Sequence, residues 1–193
     1  MKKDLSQRPS VAELEAELHR VKYRSKYHSV LKSTVYSLIS VAAVAVLVAT
    51  LWLPVLQIYG NSMTPTLHDG EIIFSVKTDH MEPGDIIAFY YNNKILVKRV
   101  IANPGDWVNI ANDGTVYVND RELIEPYLNE KSFGEADIEL PYQVPDGKIF
   151  VMGDHRATSS DSRHTAVGCV SPEQIVGRIV FRIWPLESFG FIN

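Results

Sequence analysis

Asp85-Ile86-Ile87-Ala88-Phe89-Tyr90-Tyr91-Asn92-Asn93-Lys94-Ile95-Leu96-Val97-Lys98-Arg99-Val100-Ile101 contains two strand-like runs with only two residues between them. β-Branched and aromatic side chains dominate both runs, which is typical of strands in a buried sheet. Asn92-Asn93 suits a tight turn, so we predict an antiparallel hairpin that places Lys98 beside the preceding strand. Lys98 stands in an apolar stretch, where burial would lower its pKa and make the amine a base.

Similar short runs lie on both sides of this hairpin, with turn signals such as His68-Asp69-Gly70 between them. The further predicted strands are residues 71–76, 107–110, 115–118, 148–152 and 176–184. We therefore predict a mainly β fold, an antiparallel domain over residues 57–193. Residues 120–145 are polar and less regular, so we expect 107–145 to be an inserted hairpin or flap region.

The segment before this β region is apolar and helical in character. Residues 33–56 are rich in Val, Ala, Leu and Ile, and no Asp, Glu, Lys or Arg occurs between Lys32 and Asp69. Because about 20 apolar residues cross the hydrocarbon core of a bilayer, we predict one transmembrane helix over 33–56. The long segment that precedes it favours an uncleaved anchor over a signal peptide.

Residues 1–32 carry eight Lys/Arg and four Asp/Glu, whereas the rest of the chain carries eleven and nineteen. The positive-inside rule therefore predicts a cytoplasmic N-terminal segment and an extracytoplasmic β domain. A capping-box pattern at Ser10 and Glu13, followed by apolar residues at helical spacing, predicts a short helix over 10–28. No basic stripe points to nucleic acid, and the single cysteine, Cys169, excludes an intramolecular disulfide.

The second chemically notable stretch is Gly60-Asn61-Ser62-Met63-Thr64-Pro65-Thr66-Leu67, directly after the apolar segment. A serine hydroxyl becomes a nucleophile when a base takes its proton, and a neutral lysine can be that base. Ser62 and Lys98 complement each other in this way. From the residues alone, Ser62 could equally be a turn serine and Lys98 could point to solvent.

The third stretch is the polar loop Gly153-Asp154-His155-Arg156-Ala157-Thr158-Ser159-Ser160-Asp161-Ser162-Arg163. Four of its side chains can pair with one another and stiffen it: Asp154, Arg156, Asp161 and Arg163. Its serine hydroxyls could hold a lysine amine. The loop's His and Asp residues raise the alternative of a metal site, but the tight ligand spacing of motifs such as H-E-x-x-H is missing, so we expect no metal and no cofactor.

Together these segments resemble the sequence boxes of bacterial type I signal peptidases, which are membrane-anchored Ser–Lys proteases. Residues 62–67 resemble the nucleophile box, 84–89 the strand box that follows it, 98–106 the general-base box and 153–163 the last box. The resemblance covers nearly all of residues 34–185, with every box in order.

The resemblance implies that Ser62 is the nucleophile and supplies a backbone N–H to the oxyanion, that Lys98 is the general base, and that Ser159 hydrogen-bonds the lysine. The structural places in the last box fall to Asp154, Arg156, Asp161 and Arg163. The implied activity is cleavage of membrane-tethered preproteins after a small-x-small (Ala-x-Ala) motif at the bacterial cell membrane. We expect the substrate to bind extended, as an added strand beside residues 84–90.

Two positions depart from the family pattern. Gly60 stands where some members carry an oxyanion hydroxyl, which leaves the second donor unassigned, and His155 stands where Asn is usual, which makes a Ser–His pair an alternative. Two other functions remain open: a self-cleaving protease of the SOS-repressor kind, and a non-enzymatic membrane-anchored β binding domain. The first would need a DNA-binding module, whereas this chain has a predicted membrane span.

Overall fold

The structure is a computed structural model that describes residues 11–52 and 54–192. It divides into two compact units, Met1–Ala49 and Thr50–Asn193. Ser10, the predicted helix cap, lies outside the described residues.

The N-terminal unit is built on one helix, α1 (Val11–Trp52), of 42 residues. At 1.5 Å per residue it is ~63 Å long, about twice the thickness of a bilayer's hydrocarbon core. The two helices predicted over 10–28 and 33–56 are therefore continuous, because no Gly or Pro interrupts the chain between Pro9 and Pro54. In the described part of the chain, α1 is the one helix long and apolar enough to cross a membrane.

Antiparallel strands, joined by loops and by two one-turn 3-10 helices at Pro172–Gln174 and Leu186–Ser188, follow in the described residues. They are β1 (Val55–Gln57), β2 (Ile72–Val76), β3 (Ile86–Tyr91), β4 (Lys94–Ala102), β5 (Trp107–Ile110), β6 (Val116–Val118), β7 (Arg121–Glu122), β8 (Tyr142–Gln143), β9 (Phe150–Met152), β10 (Ile175–Trp184) and β11 (Gly190–Phe191). One sheet has the order β1-β2-β10-β3-β4-β9, with β11 also on β10, and the second has the order β7-β6-β5-β8. The predicted mainly β, antiparallel fold with an N-terminal helix is confirmed, although residues 55–57 form a strand and not the end of the helix.

The hairpin of β3 and β4 is the centre of the larger sheet. Tyr91 pairs with Lys94 across the two-residue turn, and Ile87 pairs with Lys98, as the sequence predicts. Alternate residues of β3 enter two different apolar clusters, so the strand is buried on both faces. Its two edges are occupied by β4 and β10. The expectation that substrate adds as a strand beside residues 84–90 is therefore wrong, because that strand has no free edge.

The smaller sheet lies between β4 and β9 in the chain, within the stretch predicted as an insertion. Its apolar residues Val108, Ile110 and Val116 share a buried cluster with Ile101 and Phe150 of the larger sheet. Burial at about 25 cal/mol per Å² of apolar surface makes such a cluster the main attachment between two sheets. This attachment holds the connection between β7 and β8 against the polar loop that follows β9.

Candidate active site

Ser62 and Lys98 meet in the structure. The Lys98 amine nitrogen lies 2.7 Å from the Ser62 hydroxyl oxygen, although the residues are 36 positions apart. Lys98 projects from β4 and is 2% exposed, and Ser62 is half-buried in the loop after β1. The contact leaves the hydroxyl proton within direct reach of the amine.

Burial is the largest influence on the Lys98 amine. It lowers the pKa of Lys98 from 10.5 to about 8, because a charged ammonium loses its hydration there. Asp161 and Asp154 oppose this shift by attracting the protonated form, and Arg163 reinforces it. At neutral pH roughly one amine in ten is thus unprotonated and able to accept a proton.

The polar loop fixes the backbone of Ser62. The N–H of His155 donates to the carbonyl oxygen of Ser62 at 3.0 Å. A Cβ on Gly153 would overlap both that carbonyl oxygen and the Ser159 hydroxyl, so the close approach requires glycine. Two residues before Ser62, the N–H of Gly60 donates to Asp69 at 2.7 Å and is therefore not free to hold an oxyanion.

Three buried ion pairs surround the dyad. Arg163 binds Asp161 within the loop through Nε and a terminal nitrogen, at 2.8 and 2.9 Å. Asp154 instead binds Arg99 of β4 through two bonds of 2.9 and 2.8 Å. Arg156 binds Glu125 in the connection between β7 and β8.

The four charged loop residues were predicted to pair with one another, and only Asp161 and Arg163 do so. Asp154 and Arg156 reach out of the loop to other elements. An isolated loop cannot shield its own charges from water on all sides, whereas partners on β4 and on the insertion complete their burial. The result is a loop fastened at two further points beside Lys98.

Ser159 and His155 occupy different positions from those the sequence suggested. Ser159 is buried and interacts with Asp161, but its hydroxyl makes no hydrogen bond to Lys98, so the implied bond is not formed in this structure. The His155 ring is exposed and its Nδ1 contacts the Thr158 hydroxyl at 2.6 Å. This geometry favours Lys98 over His155 as the partner of Ser62.

A groove with a volume of about 790 Å³ opens at the dyad. One wall is the chain from β1 to Ser62, and the other is Asn93 of the hairpin turn with the first half of β4, residues 94–98. β9 pairs with β4 only from Arg99 onward, so residues 94–98 have one edge without a strand neighbour in the described chain. Two strand edges thus face a groove that ends at Ser62.

Three further site residues were missed from the sequence: Arg99, Glu125 and Tyr127. The Arg99 guanidinium lies over the Tyr127 ring at 3.9 Å, and the Tyr127 hydroxyl donates to Glu125 at 2.8 Å. Arg99 directly follows Lys98 in the sequence, and this position could have identified it as a site residue. Glu125 and Tyr127 lie in an irregular polar segment whose pattern gives no indication of burial.

Among the described residues, no group of three or more His, Cys, Asp or Glu side chains is arranged to hold a metal.

The chain is similar to known proteins along most of its length. Residues 31–184 match the family described as signal peptidase, peptidase S26. The chain is 41% identical over 154 residues to signal peptidase IB of Staphylococcus aureus strain MRSA252, covering 69% of this chain and 79% of that protein. It is 34% identical over 173 residues to signal peptidase I of Streptococcus pneumoniae serotype 4, covering 69% and 83%. A crystal structure of a signal peptidase I from Enterococcus faecalis V583 is 30% identical, with a TM-score of 0.44 over 51% of this chain and 96% of the other. The family match covers well over half of the sequence, and the chain therefore belongs to the signal peptidase family, peptidase S26.

Proposed function

We propose that Ser62 and Lys98 are the catalytic dyad of this signal peptidase I, with Ser62 as the nucleophile and Lys98 as the general base. The observation that carries the proposal is the 2.7 Å contact between a serine hydroxyl and a buried lysine amine. Burial keeps a fraction of that amine neutral at physiological pH, which an ordinary surface lysine would not be.

The reaction is an acyl transfer. The Ser62 oxygen attacks the carbonyl carbon of the scissile peptide bond while Lys98 takes the hydroxyl proton. The backbone N–H of Ser62 donates no hydrogen bond among the described residues, so it is available to the developing oxyanion. Lys98 then gives its proton to the leaving amine. The Lys98 amine, which is neutral again, next activates a water that hydrolyses the acyl-enzyme and restores the Ser62 hydroxyl.

The substrate lies extended in the groove between the chain preceding Ser62 and residues 94–98. Backbone N–H and C=O groups on these two edges can pair with a peptide from both sides, as in strand addition. Apolar side chains line much of the groove, including Leu56, Ile58 and Val97. We infer that small side chains precede the cut, giving the small-x-small (Ala-x-Ala) preference.

A preprotein assay tests this function. The full chain in detergent should cut a preprotein after its Ala-x-Ala sequence, as read by the N-terminus of the product. Replacing the final Ala of the motif by Phe should block cleavage, because the groove must hold that side chain beside Ser62. His155→Ala should retain activity within ~3-fold, since its exposed ring does not act on the dyad. Loss of cleavage in His155→Ala, or a cut unaffected by Phe, would contradict the proposal.

The helix α1 anchors the β domain in the bacterial cell membrane, with the N-terminal segment in the cytoplasm and the β domain outside. Basic residues at the start of α1 support this orientation through the positive-inside rule. Ser62 follows Trp52 by ten residues, so at ~3.5 Å per residue the dyad lies within about 35 Å of the helix end. Substrates tethered in the same bilayer are thereby concentrated near the dyad.

Protease added to spheroplasts should digest the β domain and spare an N-terminal tag; the reverse pattern would refute this orientation.

A further inference from the structure

Glu125 contacts Arg156 and Tyr127 contacts Arg99, although both residues come from the insertion and not from the sequence boxes. Glu125 is a buried carboxylate whose side chain is 0% exposed. Both of its oxygens accept hydrogen bonds from Arg156, and one also accepts from the Tyr127 hydroxyl at 2.8 Å. The Tyr127 ring covers the Arg99 guanidinium at 3.9 Å. We call this pair of residues the insertion clamp.

The first arm of the clamp leads to Lys98. Arg99 is the next residue of β4, and its guanidinium is fixed in four directions. Its nitrogens donate to Asp154, to the carbonyl oxygen of Gly84 at 2.8 Å and to the Thr66 hydroxyl at 3.3 Å, while the Tyr127 ring closes the remaining face. A buried cation–π contact of this kind restrains the guanidinium, and with it the strand position next to the amine.

The second arm leads to Ser62. Glu125 holds Arg156, and Arg156 Nε donates to the carbonyl oxygen of Gly153 at 3.1 Å. Two residues further along, the His155 N–H donates to the Ser62 carbonyl oxygen. The clamp therefore reaches the backbone of the nucleophile through one side chain and a three-residue stretch of loop.

Glu125 also balances the charges of the buried cluster around Ser62 and Lys98. The buried cations around the dyad are Arg99, Arg156 and Arg163, and the buried anions other than Glu125 are Asp154 and Asp161. With Glu125 included, the cluster has equal numbers of both signs when Lys98 is neutral. Without Glu125, Arg156 would be a buried charge with no partner, which is strongly unfavourable.

We propose that Glu125 and Tyr127 are positioning residues for the proteolytic reaction, which fix Lys98 relative to Ser62 by restraining Arg99 and Arg156. The proposal rests on the Ser62–Lys98 dyad proposed above. Neither residue touches the reacting atoms. Their contribution is the geometry of the proton transfer.

Tyr127→Leu and Glu125→Asp test the clamp without changing the net charge. Leucine removes the aromatic face from Arg99, and aspartate is too short to keep both bonds to Arg156. We expect kcat to fall ~10-fold in each full-length variant, with KM for a preprotein unchanged, because the change affects only how the dyad is aligned. Tyr127→Phe keeps the ring on Arg99 and should retain most of the wild-type kcat.

The pH profile separates positioning from mere structural support. The charged groups that act on Lys98 are Asp161, Asp154 and Arg163, and none of these variants removes one of them. In Tyr127→Leu, Arg99 is less restrained and neutralises Asp154 less, so Asp154 should attract the protonated Lys98 amine more strongly and move the acid limb of kcat/KM to higher pH. In Tyr127→Phe the limb should stay at its wild-type position.

The matched control is Glu122→Asp, which shortens an exposed carboxylate of the same insertion that pairs with Lys131. It should leave kcat and the acid limb unchanged. The proposal for Glu125 and Tyr127 is contradicted if Tyr127→Leu and Glu125→Asp keep the wild-type kcat and acid limb per mole of folded protein while Lys98→Met is inactive. If Lys98→Met is itself active, the proposed Ser62–Lys98 dyad is wrong, and so is the positioning role of Glu125 and Tyr127 that rests on it.

Discussion

Ser62→Ala and Lys98→Met should each lower the rate of preprotein cleavage by ~10³-fold or more, since each removes one half of a single proton-transfer unit. Methionine has nearly the length of lysine and no charge, so it fills the buried position of Lys98 without leaving an unpaired ammonium. The double variant should be no slower than the slower single variant, because neither residue has a function without the other. Rates are measured on a preprotein in detergent, with folding checked by circular dichroism.

Lys94→Met is the control for this pair. Lys94 lies on the same strand, is exposed, and lies at the far end of the groove wall from Lys98. It should lower cleavage far less than Lys98→Met does. In the wild type the rate should fall as the pH drops through about 8, since protonation of Lys98 removes the base. Multiplicative losses in the double variant, or a flat acid limb, would be incompatible with a Ser–Lys dyad.

The larger part of the fold could be predicted because it depends on short-range patterns. β-Branched runs separated by Gly, Pro and Asn turns predicted most of the strands, and Asn92-Asn93 predicted the tight hairpin that β3 and β4 form. The continuous helix was missed for a local reason as well. The change from charged to apolar residues near Lys32 suggests a boundary that α1 does not have, because composition alone does not end a helix.

Residue chemistry suggested Ser62 and Lys98 as partners and the resemblance to the signal peptidase boxes paired them, but neither predicted the residues that surround them. Complementary chemistry left a turn serine and a solvent-facing lysine as alternatives, and the 2.7 Å contact between Ser62 and Lys98 is seen only in the structure. The partner of a buried arginine depends on which elements pack together, and Arg156 meets Glu125 only because the smaller sheet packs on the larger one. The free edge beside Lys98 likewise follows from the strand order, in which β9 pairs with only the second half of β4.

Asp161→Asn should give the largest loss of stability among single substitutions of the ionic cluster. Asp161 is 0% exposed and accepts two bonds from the Arg163 guanidinium, one from the Arg163 backbone N–H at 3.3 Å and one from the N–H of Gly153 at 2.9 Å. Burial by itself opposes its ionisation, yet the bonds and charge of Arg163 hold the pKa of Asp161 below its usual value. A neutral amide leaves Arg163 buried with its charge uncompensated, which costs ~3–5 kcal/mol of unfolding free energy. Urea unfolding of the full chain in detergent, followed by tryptophan fluorescence, measures this loss.

The same substitution distinguishes a structural carboxylate from one that also acts on the base. Asp161 raises the pKa of Lys98 by attracting its protonated form, so its removal should shift the acid limb of cleavage to lower pH in whatever protein remains folded. Asp137→Asn is the matched control, because the Asp137 carboxylate likewise accepts hydrogen bonds from a neighbouring residue, two from Thr165, but at the exposed surface. It should change neither the limb nor the stability to a comparable degree. Equal destabilisation by the two variants would mean that burial of the Asp161–Arg163 pair does not determine the stability of this loop.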